Sequence, residues 1–335
     1  MIMNMKKYIL FLLAFLIPGW SLAQQYHPLT LQEAEKRLLS QFRPLINGRI
    51  YDITFEEVKK ERKAQAEMAW PELKNKDSVE VIQSKIPGLN PKDPEIPVTI
   101  YKPKNAKNLP LFLWFHGGGF VYGTPKWDHQ RCADYALKGN AVVINVDYRF
   151  APESPFPAVL HDAYASLLWA NKNAGSLGGN PKLIAVGGES AGAGISGSLA
   201  QYTRDHKGPA ISLQVLEMPP GDFGMDYPSI IEFKRIPGFK SDDIPVLKDF
   251  YIGKNGNPKE KYVLPGNIED VSNLPPAVIF VAGADPLRDS GLAYADRLIK
   301  AGIFTELHLF AGYAHGMPLP ENIDITIRLM KQFLK

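Results

Sequence analysis

The sequence contains a single cysteine among 335 residues, Cys132, so no disulfide can form within the chain. A chain of this length without disulfides draws its stability from a large hydrophobic core. Cys132 is also a poor candidate for a catalytic thiol, because residues 132–137 form an amphipathic stretch in which small apolar side chains usually face a core. The scarcity of cysteine excludes a disulfide-stapled miniature fold, and the length of 335 residues with 45% hydrophobic content favours one large domain.

An excess of either charge is missing as well. The 38 Lys and Arg residues are balanced by 35 Asp and Glu residues, which gives a net charge of +3 at pH 7. Nucleic acids and anionic membranes attract strongly basic surfaces, so neither is expected as a partner. The sequence also lacks a phosphate-binding G-x-x-x-x-G-K-[ST] loop, a G-x-G-x-x-G turn that opens a helix, and the zinc-binding H-E-x-x-H pattern. We therefore expect no nucleotide cofactor and no metal.

Long hydrophobic runs are absent except near the amino terminus. There Lys6 and Lys7 precede the apolar run Tyr8–Ile17, and Pro18 and Gly19 break it before Ala23. This run is too short to cross a hydrocarbon layer of about 30 Å. The pattern predicts a secretory signal peptide over residues 1–23, cleaved after Ala23, with an uncleaved anchor as the alternative. The mature chain, residues 24–335, is expected to be periplasmic or secreted and to have no membrane span.

What the sequence does contain is an alternation of apolar strands and helices. Repeated βα units with fully apolar strands are typical of a mostly parallel sheet covered by helices on both faces. The predicted strands are Leu111–Phe115, Ala141–Val146, Leu183–Val186, Ile211–Leu216, Ala277–Ala282 and Thr305–Phe310. The predicted helices are Asp128–Lys138, Pro157–Asn171, one that follows Ser190, Ser290–Ala301 and one from Ile323.

Two regions depart from this alternation. Before it, apolar spacing predicts helices over Leu31–Phe42 and Phe55–Trp70, followed by an antiparallel pair of strands, Ser78–Ile86 and Ile96–Tyr101. Within it, Pro219–Leu264 is long, rich in Gly and Pro, and carries several aromatic residues. Aromatic residues favour a packed lid over a disordered insertion.

A serine flanked by glycines, Gly188-x-Ser190-x-Gly192, lies between an apolar strand and the small-residue stretch Ala191–Gln201. A sharp strand-to-helix turn of this kind exposes the hydroxyl and directs the first N–H groups of the helix toward whatever the hydroxyl attacks. The pentapeptide alone is also compatible with an ordinary Gly/Ser-rich turn. Ser190 as a nucleophile therefore requires a base, an orienting acid and an oxyanion hole from elsewhere in the chain.

Each of these requirements has a candidate. Three glycines, residues 117–119, follow a strand and allow backbone N–H groups to approach a negatively charged oxygen. Asp285 directly follows an apolar strand, whereas the rival Asp289 lies in the first turn of the next helix, where acids are common for capping reasons. His315 lies on a glycine-flanked loop after the last strand. Ser190, Asp285 and His315 follow the chain order used by α/β hydrolases.

With these residues in place, the chain resembles the hormone-sensitive-lipase family of α/β-hydrolase carboxylesterases from about Phe55 to its carboxyl end. The motifs that carry the resemblance are His116–Phe120, Asp147–Glu153 with Phe156–Ala158, Gly188–Gly192, Asp285–Asp289 and His315–Met317. The resemblance implies one α/β-hydrolase domain over residues 24–335, with a helical cap formed by about 29–75 and 219–264. It also implies a serine carboxylesterase that acts on small-molecule esters with short to medium acyl chains, through an acyl-enzyme and without cofactor or metal.

The family pattern assigns a role to each candidate. Ser190 is the nucleophile, His315 the base, and Asp285 the acid that orients the imidazole. The backbone N–H groups of Gly118, Gly119 and Ala191 form the oxyanion hole, with Gly117 as an alternative if the register is shifted by one residue.

The chain departs from the family pattern at three positions. Glu189 stands where Asp is more common, Ala193 where a glycine is usual, and Glu217 where an apolar residue is usual. The last difference bears on the polarity of the acyl pocket. Tyr148, Arg149 and Glu153 are interpreted as structural residues whose charges hold a loop.

Three other functions fit parts of the pattern. A peptidase or amidase could use the same triad, although no propeller-like region precedes the hydrolase motifs. A binding protein on a silenced hydrolase fold usually lacks the triad histidine, and His315 is present. Export would suit deacetylation of an acetylated polysaccharide, which the sequence does not distinguish from general esterase activity.

Overall fold

The computed structural model describes residues 26–48, 50 and 52–335, so the signal peptide predicted over residues 1–23 lies outside the described residues. The described residues form an eight-stranded sheet. Its strands are β1 (Val79–Ile86), β2 (Ile96–Pro103), β3 (Leu109–Phe115), β4 (Val142–Val146), β5 (Gly179–Glu189), β6 (Leu213–Glu217), β7 (Ala277–Ala284) and β8 (Thr305–Ala314).

The strand order across the sheet is β1-β2-β4-β3-β5-β6-β7-β8. β2 runs antiparallel to both β1 and β4, and all other neighbouring pairs are parallel. The predicted antiparallel pair and the mostly parallel sheet are therefore confirmed. Because β5, β7 and β8 are parallel, their carboxyl ends lie at one edge of the sheet, where ligands bind in folds of this type.

Nine α-helices accompany the sheet in the described part of the chain. They are α1 (Leu31–Lys36), α2 (Phe55–Glu67), α3 (His129–Lys138), α4 (Ala158–Leu177), α5 (Ala191–Asp205), α6 (Pro228–Glu232), α7 (Ile244–Ile252), α8 (Arg288–Lys300) and α9 (Asn322–Phe333). No described helix is long and apolar enough to cross a bilayer.

Both faces of the central strands are buried. Along β3, Leu113 packs in one core cluster with side chains of α4 and α5, while Trp114 packs in another with side chains of α3 and α9. Successive residues of a strand point to opposite faces, so these clusters lie on opposite sides of the sheet. The continuous apolar strands are explained by helices on both faces, as the sequence predicts.

The first predicted helix is wrong in its extent. Leu31–Phe42 is helical only as far as Lys36, and a 3-10 helix, Ser40–Asn47, follows it. Between the two, the backbone N–H of Leu39 donates to the carbonyl oxygen of Gly312 in β8 at 3.1 Å. This long-range hydrogen bond turns the chain away from the helix axis, so a tertiary contact overrides the helical spacing.

The insertion over residues 219–264 is packed, as its aromatic content predicts. Phe233 and Tyr251 are buried, and the Tyr251 ring stacks on Phe120 with centroids 3.9 Å apart. The N-terminal segment, about residues 29–75, contacts this insertion through the backbone N–H of Leu29, which donates to the carbonyl oxygen of Glu232 at 2.9 Å. The two segments predicted to form the cap therefore contact each other.

Candidate active site

Ser190 occupies a strained turn between β5 and α5. Its φ of 53° and ψ of −119° lie outside the regions that residues with a Cβ normally adopt. Its N–H donates to the carbonyl oxygen of Glu217 in β6 at 2.7 Å, which holds the turn. A Cβ at Gly192 would overlap the carbonyl oxygen of Phe115, so only glycine fits there. The surrounding strands therefore impose the conformation that exposes the serine hydroxyl.

The structure brings the three predicted side chains together. His315 Nε2 lies 2.8 Å from Ser190 Oγ, and His315 Nδ1 lies 2.8 Å from Asp285 Oδ2. Asp285 is fully buried, and its second oxygen accepts the N–H of Leu287 at 2.8 Å. The carboxylate is thus fixed by its own loop and holds the imidazole from the side opposite the serine.

The rival acid, Asp289, contributes to a different contact. Its Oδ2 accepts the N–H of Ser229 at 2.7 Å, and its Oδ1 accepts a hydrogen bond from Arg288 at 2.7 Å. Asp289 lies in the first turn of α8 and joins that helix to α6 of the insertion. Its location agrees with the capping interpretation made from the sequence.

The environment of His315 favours its protonated form. Burial lowers the pKa of His315, but the charge of Asp285 and its hydrogen bond outweigh that effect, and Glu189 adds to the attraction, so the pKa lies above the ordinary histidine value. A proton on Nδ1, shared with Asp285, leaves Nε2 of the neutral ring free to accept the serine proton. The pair is therefore arranged for a base that becomes a stabilised cation.

The three glycines 117–119, here called the glycine loop, lie directly against the turn at Ser190, the serine turn. A Cβ at Gly117 would lie 3.6 Å from Ser190 Cβ. Gly118 and Gly119 have φ values of 119° and 59°, which favour glycine. Within the described part of the chain, the N–H groups of Gly118, Gly119 and Ala191 have no hydrogen-bond acceptor. These unpaired donors beside the hydroxyl suit an oxyanion.

The loop after β4 supports the glycine loop, in agreement with the structural interpretation of Tyr148 and Arg149. The Tyr148 hydroxyl donates to the carbonyl oxygen of His116 at 2.7 Å, and the two rings stack with centroids 4.4 Å apart. Arg149 pairs with the buried Asp162 at 2.7 Å. Neither side chain is among the described residues that line the cavity at Ser190 and His315.

Arg62 is a supporting residue that sequence reasoning missed. From α2, its guanidinium donates to the carbonyl oxygens of Val121 and Ala151, each at 2.6 Å, and pairs with Glu153 at 2.9 Å. These contacts join the N-terminal segment to the end of the glycine loop. A charged residue on a helical pattern gives no sign of such a role, since most such residues are solvated.

A cavity of about 410 Å³ opens onto Ser190 and His315. The glycine loop forms one wall, and side chains from the insertion form another. Most of the lining is aromatic or aliphatic, and a few charged side chains, those of Asp128, Arg131, Glu189 and Asp222, complete it. Such a mixture is typical of a site for a small organic ligand. The aromatic lining residues are Phe120, Tyr122, Trp127, Phe223 and Phe239.

One guanidinium, that of Arg131 in α3, holds three carboxylates beside this cavity. Its Nη1 lies 2.9 Å from Glu189, 3.1 Å from Glu217 and 3.4 Å from Asp128. Its head group lies 5.2 Å from the centroid of the Trp114 ring. Because Glu189 ends β5 and Glu217 ends β6, this ionic cluster ties together the strands that hold the serine turn.

Glu217 does not make the acyl pocket polar. Its side chain is fully buried, accepts a hydrogen bond from the Tyr135 hydroxyl at 3.3 Å, and is absent from the described lining of the cavity. Burial raises the pKa of Glu217 to about 7, against the attraction of Arg131. The carboxylate lies behind the wall and is paired with Arg131.

Replacing Arg131 by methionine is expected to lower the free energy of unfolding by about 3–5 kcal/mol, because three carboxylates lose their shared cation. Glu217→Leu should cost far less, since it removes a carboxylate whose ionisation is already opposed by burial. The double variant should be more stable than Arg131→Met alone. Urea denaturation followed by circular dichroism measures all three. Additive losses in the double variant would contradict this arrangement.

Comparison with known proteins agrees with this geometry. Residues 112–319 match the family described as alpha/beta hydrolase fold. The carboxylesterase NlhH of Mycobacterium tuberculosis is 38% identical over 227 residues, which cover 66% of this chain and 71% of that protein. The arylesterase of Saccharolobus solfataricus is 33% identical over 229 residues, covering 67% and 73%.

A solved structure, that of a bacterial heroin esterase, is 29% identical and superposes with a TM-score of 0.80 over 90% of this chain and 99% of the other. The matched region of the family, residues 112–319, contains the glycine loop, the serine turn, Asp285 and His315. The chain therefore belongs to the α/β-hydrolase fold family, within its hormone-sensitive-lipase-like group.

Proposed function

We propose that this carboxylic ester hydrolase uses Ser190, His315 and Asp285 to cleave small-molecule esters with short to medium acyl chains through a covalent acyl-enzyme. The observation that carries the proposal is the pair of 2.8 Å contacts that link the serine to the imidazole and the imidazole to the carboxylate. The unpaired N–H groups of the glycine loop beside the hydroxyl support it. Relatives named as carboxylesterase, arylesterase and heroin esterase support ester hydrolysis.

The first half of the reaction forms the acyl-enzyme. Ser190 Oγ bonds to the ester carbonyl carbon while His315 Nε2 takes the hydroxyl proton. The carbonyl oxygen becomes an oxyanion, which the N–H groups of Gly118, Gly119 and Ala191 stabilise. The bond from carbon to the alcohol oxygen then breaks, and His315 returns the proton to that oxygen as the alcohol leaves.

The second half regenerates the enzyme. A water molecule gives a proton to His315 Nε2 and bonds to the acyl carbon. The same three N–H groups stabilise the oxyanion that forms. Ser190 then leaves and takes the proton from His315. Throughout, Asp285 keeps the proton on Nδ1 and stabilises the cation. The aromatic lining of the 410 Å³ cavity supports a preference for apolar acyl groups of modest size.

Ser190→Ala is expected to reduce turnover of p-nitrophenyl butyrate by a factor on the order of a million, as for other triad nucleophiles. Ser198→Ala is a matched control, because Ser198 is a buried serine of α5, the helix that follows Ser190, and its hydroxyl has no partner among the described residues. The control should keep wild-type turnover. Retention of most activity by Ser190→Ala would remove the assignment, and faster cleavage of a matched nitroanilide would favour an amidase.

The pH dependence of kcat/KM reports the pKa of His315 in the free enzyme. Its activity as a base is lost as the pH falls through its pKa, so the acid limb should have its midpoint above the ordinary histidine value of 6.5. Glu189→Gln removes a negative charge that raises this pKa, so the limb should move to lower pH. Glu306→Gln, on β8, is the control and should leave the limb in place. A shift to higher pH in Glu189→Gln would contradict the electrostatic account.

We also propose that residues 1–23 direct export and that the mature chain begins at Gln24. The basic start, the apolar run and Ala23 support this. Export and the cleavage position can be measured by expressing the full chain in a Gram-negative bacterium, fractionating the cells and sequencing the amino terminus of the product. The expected product is periplasmic or secreted and starts at Gln24. A cytoplasmic product with an intact leader would contradict export.

A further inference from the structure

A second cavity adjoins the first behind His315. It measures about 470 Å³ and shares Phe239, His315 and Gly316 with the catalytic cavity. Its described lining includes neither Ser190 nor any residue of the glycine loop. It is therefore reached from the histidine side of the site and lies away from the oxyanion donors.

The walls of this second cavity come from three parts of the chain. The N-terminal segment, the insertion and the ends of β7 and β8 each contribute. Their buried apolar side chains, all at most 8% exposed, are Ala34, Leu38, Ile46, Phe233, Ile236 and Ala284. Apart from His315, the described lining carries no charged side chain. Such a cavity selects an apolar ligand, since a polar group would lose its hydrogen bonds to water there.

The reaction itself decides which part of an ester can reach this cavity. In the proposed mechanism, His315 Nε2 protonates the leaving alcohol oxygen, so that oxygen has to lie within hydrogen-bond distance of the imidazole. The carbonyl oxygen lies at the glycine loop, on the other side of the serine. The group next to His315 is therefore the alcohol part of the ester, and the acyl part stays in the catalytic cavity.

Phe239 lies at the junction of the two cavities. Its ring centroid is 4.6 Å from that of His315, with the planes tilted by 40°. It follows Gly238, which has a φ of 83° and open space around its Cβ position. Phe239 is only partly buried and lines both cavities, so its side chain forms part of the partition between them.

We propose that the second cavity is an alcohol-side subsite, with Phe239 as its doorway, for esters that combine a short acyl group with a large apolar alcohol such as a long alkyl chain. The proposal rests on the proposed esterase function. It adds no step to the reaction: the bond between the acyl carbon and the alcohol oxygen breaks as before, and the released alcohol carries the proton from His315.

Two series of esters with matched carbon counts test the subsite on the wild-type enzyme. One series holds the acid constant: ethyl, butyl, octyl and decyl acetate. The other holds the alcohol constant: ethyl acetate, butanoate, octanoate and decanoate. We expect octyl acetate to exceed ethyl octanoate in kcat/KM by about tenfold or more, since burying two methylene groups is worth about that factor. Equal values, or the reverse order, would overturn the proposal.

Two variants change the size of the cavity in opposite directions. Ala34→Phe should lower the ratio of octyl to ethyl acetate kcat/KM by about tenfold, because the added ring occupies the space of a few methylene groups. Ile236→Ala should move the optimum to longer alcohols. Leu31→Phe, on the exposed face of the same helix as Ala34, is the control with added bulk outside the cavity and should leave the ratio unchanged.

The outcomes separate the subsite from the proposed function. If the enzyme hydrolyses neither series, the esterase proposal itself is wrong. Hydrolysis of both series with the acyl series more affected by Ala34→Phe would assign the cavity to the acyl chain and overturn the inference. If Ala34→Phe fails to fold, Ile236→Ala and the wild-type comparison of octyl acetate with ethyl octanoate still decide.

Discussion

The site depends on the backbone conformation of Ser190, because the exposure of its hydroxyl and the direction of the α5 N–H groups both follow from it. That conformation is unfavourable for a residue with a Cβ. The structure imposes it through the hydrogen bond to Glu217 in β6 and through the close contact between Gly192 and the Phe115 carbonyl in β3. Three adjacent strands of one sheet thus share the strain, and the large apolar core behind them offsets it.

The charged side chains around the Ser190 turn also depend on one another. Asp285 and Glu189 both favour the protonated form of the His315 imidazole. Glu189 is in turn held by Arg131, which also holds Glu217 and Asp128. The single guanidinium pairs with all three carboxylates, so each has a cationic partner in a region of low dielectric. Asp128, Arg131 and Glu189 form a charged part of the cavity wall, whereas Glu217 lies outside the described lining.

Much of this could be predicted from the sequence, because the strands and catalytic motifs are local patterns. The two glycine motifs, Asp285 and His315 each follow an apolar strand, and parallel strands bring such positions to one edge. Other features depend on contacts between distant residues. Leu31–Phe42 has a helical pattern, but the hydrogen bond from Leu39 to Gly312 ends the helix early. Arg62 and Arg131 look like surface charges in the sequence. Glu217 looks like a pocket residue until its partners are known. No periodicity encodes such pairings.

The hydrogen bond from Leu39 to Gly312 also has a consequence for biosynthesis. It joins residues separated by most of the length of the chain, and it places the N-terminal segment against the end of β8. A nascent chain cannot complete this part of the molecule until β8 has left the ribosome. The wall that the N-terminal segment gives to the second cavity is therefore among the last parts to assemble, and a chain that is still being translated lacks it.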